Sequence, residues 1–130
     1  MKIYLAIGCG GSIGALLRYL VGVVIPQTGN FPIGTLIINT IGCFLMGYFT
    51  NLVKQRYFAQ KQALAKALTT GMVGAFTTFS TVSLEAALLL QENMASVALI
   101  YLIISSAAGL GALMFGLQLA PNPAQRRRSA

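Results

Sequence analysis

Charge is scarce in this sequence. Only 8% of its 130 residues are charged, against 56% hydrophobic, and the mean hydropathy is +0.76. A soluble domain carries about 25% charged residues, so little is available here to cover a water-facing surface. Histidine is absent, which removes the commonest general base and metal ligand. The two cysteines, Cys9 and Cys43, both fall inside apolar runs. They offer no disulfide framework and no metal spacing, and read as small packing residues. No nucleophile–base pair or metal cluster stands out, so the chain does not read as an enzyme.

What is present is apolar length. Four runs, at about 3–25, 33–53, 67–90 and 97–119, are each of the roughly 20 residues a membrane-crossing helix needs. The first follows a lysine, as in a signal peptide, but continues past Arg18 with no convincing cleavage site, and reads as a retained span. "PQTGNFP" and "QENMAS" are turns. "KQRYFAQKQALAK" (54–66) is basic and suits a short interfacial helix or a loop, and 120–130 reads as a basic tail whose composition predicts disorder. The fold class expected is all-α integral membrane, one domain of four transmembrane helices. Gly10/Gly14, Ser105/Gly109 and Ala112/Gly116 repeat at four-residue spacing. Small residues so placed let membrane helices approach closely.

The net charge of +7 has a pattern. Lys2, Lys54, Arg56, Lys61, Lys66, Arg126, Arg127 and Arg128 all fall on one side of a four-span layout, and the opposite loops carry no Lys or Arg. The positive-inside rule then puts both termini in the cytoplasm. Basic residues between and after apolar runs suit anionic lipid; the aromatic–basic interleaving of nucleic-acid binders is missing.

Polar residues inside the spans are the candidates for function. Arg18 either snorkels or places a charge at a pore vestibule. Asn39, deep in the second span, offers two amide donors, to a neighbouring helix or to a substrate. Glu85, in the third span, suits either a proton site or a pairing role near a water-filled mouth. The densest signal is "GAFTTFSTVS" (74–83), which sets five hydroxyls and a glycine mid-span. Either the hydroxyls back-bond within a continuous helix, or the helix breaks and exposes peptide groups to an ion. Freed carbonyls suit a small cation, while hydroxyl donors and phenylalanine edges suit a small anion.

"GGSIGALLRY", "GTLIINTIGCFLMG" and "GMVGAFTTFSTVS" together resemble the Fluc/CrcB fluoride channel family, in order and spacing across all four spans. The resemblance implies an antiparallel, dual-topology dimer in the inner membrane, with a broken third helix and narrow fluoride paths along the subunit interface. It implies a structural, non-transported Na⁺ held by backbone carbonyls of Gly74 and Thr77 from both subunits. It assigns Asn39, Phe79, Ser80, Thr81, Tyr101 and Ser105 to the fluoride path and Arg18 to the vestibule. The partner is a second copy or a homologous subunit, and the activity passive F⁻ efflux that relieves fluoride toxicity. Two features depart from the family. Val82 replaces a second phenylalanine, and the one-sided Lys/Arg distribution is unusual for a chain that inserts both ways. Both fit one subunit of a heterodimeric channel. A small four-span exporter coupled through Glu85 is the competing class; such exporters carry their carboxylate in span one, which here has none.

Overall fold

The computed structural model describes residues 1–25, 29–54 and 61–120. Among these, every regular element is helical: α1 (Lys2–Val24), α2 (Ile33–Lys54), α3 (Gln62–Lys66), a π-helical segment Ala67–Val73, α4 (Gly74–Phe76), α5 (Phe79–Gln91) and α6 (Ala95–Leu119). Four elements are long and apolar enough to cross a membrane: α1, α2, the composite stretch Gln62–Gln91 and α6. Helices are the way such segments can pair all their peptide groups without water. The chain is a multi-pass, all-α membrane protein.

Local sequence sets the ends. Ile25 turns extended (ψ 96°) directly before Pro26, as a pre-proline residue prefers. After α5, Asn93 takes a left-handed φ of 60°, a conformation asparagine tolerates better than most residues. The stretch expected as an interfacial helix or loop divides. Gln62–Lys66 is helical and runs straight into the third crossing, while 55–60 lie outside the described residues.

Register follows from close approaches. Gly10 lies against the Ala67 carbonyl and Gly14 against the Met72 carbonyl, so α1 and the start of the third crossing run parallel. Gly109 lies against Cys43, Gly47 against the Leu113 carbonyl, and Asn51 Nδ2 donates to the Leu117 carbonyl at 2.7 Å. The pair α2 and α6 is therefore also parallel. Opposing the two pairs gives four crossings in up–down order. Three of the expected small-residue positions, Gly10, Gly14 and Gly116, sit where an added Cβ would strike main chain. Lys2, Lys61 and Lys66 come to one end of the molecule, all exposed. Arg56 and the three tail arginines lie outside the described residues.

Candidate functional site

The third crossing is broken. Thr77 (φ −76°, ψ 155°) and Thr78 (φ −145°, ψ 119°) leave helical geometry at the middle of the 62–91 stretch. The interruption has identifiable causes. Thr78 is the N-cap of α5, its Oγ1 accepting from the Thr81 amide at 3.1 Å. Threonine favours this position because its hydroxyl satisfies a donor the helix start leaves open. Thr78 Oγ1 also meets Thr81 Oγ1 at 2.9 Å and Ser80 Oγ at 3.2 Å. The hydroxyls of the opening motif thus gather at one point.

The face of α2 that meets the break explains its own motif. Thr35, Asn39 and Gly42 fall at i, i+4 and i+7, one side of a helix. Thr35 Oγ1 donates to Glu85 Oε1 at 2.7 Å. Asn39 Nδ2 donates to the Thr78 carbonyl at 2.9 Å, and Asn39 Oδ1 accepts from the Thr78 amide at 2.8 Å. Gly42 leaves room for the Thr77 methyl and the Phe76 ring, which a side chain there would strike.

These bonds divert two amides from their helical acceptors. In a continuous helix the Thr78 amide would serve the Gly74 carbonyl and the Thr81 amide the Thr77 carbonyl. Both now point elsewhere. The Gly74 carbonyl keeps a long contact from Thr77 Oγ1, 3.4 Å. Carbonyls released from a helix are the oxygen donors a hard cation takes, so Gly74 and Thr77 fit the role expected of them.

On α6's side of the break lies an open groove of about 500 Å³. Asn39 and Cys43 of α2, Thr77 and Thr78 of the break, Phe79 and Val82 of α5, and Leu102, Ser105, Ser106, Gly109, Leu110 and Leu113 of α6 form its walls. Phe79 is 82% exposed, while Val82 is buried. Ser105 Oγ is shielded from solvent; it approaches the Tyr101 hydroxyl but meets no partner at hydrogen-bond geometry among the described residues. Asn39, Phe79 and Ser105, three of the expected path residues, are thus brought together.

The others fall elsewhere. Ser80 and Thr81 belong to the Thr78 cluster and do not line the groove. Tyr101 is fully buried; its hydroxyl donates to Glu85 Oε2 at 2.7 Å, and Phe31 meets its ring edge-on at 5.6 Å. Both Glu85 oxygens therefore accept from hydroxyls. Arg18 is half-buried on α1 and not part of the groove. Thr78 and Thr35 were missed as individual residues in the sequence. The signal for Thr78 was a hydroxyl residue heading a fresh helical run; nothing in the sequence paired Thr35 with Glu85.

The family model described as CrcB-like protein, Camphor Resistance (CrcB), matches residues 5–117. The chain belongs to the CrcB family. This CrcB chain is 44% identical over 110 residues to a protein of Geobacillus kaustophilus named fluoride-specific ion channel FluC 2, covering 83% of this chain and 84% of that one. It is 41% identical over 121 residues to the fluoride-specific ion channel FluC of Oceanobacillus iheyensis, covering 92% of each. A FluC 2 of Yersinia pseudotuberculosis is 42% identical over 120 residues, covering 88% and 93%. These CrcB relatives are named as channels, and the family is not one of enzymes.

Proposed function

We propose that the chain is a fluoride channel subunit of the cell inner membrane, giving passive F⁻ efflux and so lowering fluoride toxicity. The observation that carries this reading is the mid-membrane break opening onto a groove that presents Asn39, Phe79 and Ser105 together. Fluoride is small and strongly hydrated, so a dry path must replace its water with several donors. Neutral groups serve better than a fixed positive charge, which would hold the ion too tightly to release it. An amide, a hydroxyl and aromatic edges supply such groups. The family resemblance adds Ser80, Thr81 and Tyr101 to the path and Arg18 to its vestibule; none of the four lines the groove, and the reading does not rest on them. Hydrogen fluoride enters cells as a neutral acid and dissociates; the membrane potential then favours exit of the anion by about 2.3 kcal/mol per 100 mV.

The groove is open on its outer side, and a second copy facing it in the opposite sense would close it. The same arrangement completes a Na⁺ site. Two carbonyls, of Gly74 and Thr77, leave a hard cation undercoordinated; a facing copy doubles them. Bound there, Na⁺ would supply fixed positive charge that holds the two breaks together without being transported.

Fluoride efflux from liposomes holding this chain alone is the test. Flux that is selective for fluoride, falls at least tenfold in Phe79→Ile and weakens when Na⁺ gives way to a larger cation supports the reading; absence of flux from well-folded protein refutes the homodimeric form. The one-sided Lys/Arg distribution supports a second form, a heterodimer with an oppositely oriented homologue. Engineered surface cysteines that label from one side only would support it, and labelling from both sides would exclude it. Flux in Glu85→Gln that persists without a proton gradient removes coupled export.

A further inference from the structure

We infer that Asn39 is the positioning residue of the cation site: its carboxamide stands in for a peptide group opposite Thr78 and keeps the Gly74 carbonyl open. The inference rests on reading the Gly74 and Thr77 carbonyls as the Na⁺ site.

An asparagine side chain carries the same donor and acceptor as a peptide bond. Asn39 uses both on one residue, donating to the Thr78 carbonyl at 2.9 Å and accepting from the Thr78 amide at 2.8 Å. Thr78 is extended (φ −145°, ψ 119°), so the pair has the form of two strands exchanging reciprocal hydrogen bonds. An aspartate would keep the acceptor and lose the donor; an alanine would lose both.

The second consequence concerns competition. A Thr78 amide released by Asn39 regains its ordinary helical partner, the Gly74 carbonyl four residues back, once Thr77 rotates from ψ 155° to helical geometry. Unpaired amides are not tolerated at membrane depth. Removing the carboxamide therefore turns the Thr78 amide onto an oxygen the cation uses. The cation must then displace an internal hydrogen bond to enter. Gly42, three residues on, keeps the same face of α2 clear for Thr77, so α2 is shaped to receive the break as well as to pair with it. Asn39 also touches the groove with its second amide hydrogen available, and the two roles separate by experiment.

The test is a Na⁺ titration of thermal stability in detergent, with N-methylglucamine as the replacing cation, on the wild type, Asn39→Ala, Asn39→Leu, Asn39→Asp and Phe79→Ile. The wild-type Tm rises with Na⁺. In Asn39→Ala the Na⁺ concentration at half of that rise increases about tenfold, the equivalent of one net hydrogen bond. Phe79→Ile, a groove change that leaves the carboxamide in place, keeps the wild-type midpoint. Amide hydrogen exchange at Thr78 also quickens in Asn39→Ala. If Asn39→Ala does not fold, Asn39→Leu, which fills similar space and offers the Thr78 amide no acceptor, carries the titration and shows a raised midpoint; Asn39→Asp, which still accepts from that amide, shows no rise. A responsive wild type whose Asn39→Ala or Asn39→Leu variant keeps the same Na⁺ midpoint overturns the inference alone and leaves Asn39 a pore donor. A wild type whose Tm ignores Na⁺ overturns the sodium reading and the inference with it.

Discussion

Before its break, the third crossing lies on α1 through missing side chains: Gly10, Gly14 and Gly71 let main chain meet main chain. After the break, α5 is joined to α2 and α6 through side chains that are polar: Thr35 and Tyr101 both donate to Glu85. The difference reflects the solvent. In a bilayer the hydrophobic effect does not drive helices together, so association comes from close packing or from internal hydrogen bonds. One half of this crossing uses the first device; the other adds the second to an apolar cluster of Val82, Leu89, Ala98 and Tyr101. The break marks where one gives way to the other.

Gly14→Leu tests the first device and carries the largest expected effect. Even a Cβ at Gly14 would overlap the Met72 carbonyl. The destabilisation should exceed the about 1–3 kcal/mol of ordinary overpacking, and size-exclusion chromatography should find little monodisperse protein. A well-behaved Gly14→Leu variant would mean α1 is not locked to the π-helical segment. Tyr101→Phe tests the second device. The ring stays while Glu85 Oε2 loses a donor, a loss of about 1–3 kcal/mol, read as a lower Tm. Thr35→Val, which removes the other donor, should fall in the same range, and the double variant should deviate from additivity because both act on one carboxylate. Gly8→Ala sharpens the contrast with the smallest effect. A methyl there meets nothing within 4 Å, so the change in stability should stay within about 0.5 kcal/mol.

Much of this was legible in the sequence. Four apolar runs gave four crossings because length and hydropathy alone decide whether a helix can span. The break was readable from 74–83 as one of two alternatives, since hydroxyls and glycine in place of Leu signal backbone needing partners. Asn39, Phe79 and Ser105, which the family resemblance assigns to a fluoride path, line one groove. Thr78 was not legible as the pivot, because "TTFST" offers several threonines and serines of equal local merit, and the choice falls to an asparagine 39 residues away. The trio of Thr35, Glu85 and Tyr101 joins three crossings, a contact no local pattern encodes. Nor does any residue in Ala67–Val73 announce the wider winding found there.

That wider winding has a consequence for length changes. A π-helical stretch holds more residues per turn than its α-helical neighbours, as if one residue had been let into the coil. Trimming a single residue from Ala67–Val73 would let that stretch wind as an ordinary α-helix and leave the segments on either side in phase. The same deletion in Phe79–Gln91 has no such slack: it would swing everything downstream by about 100°, and two distant stretches of chain would fall out of phase together.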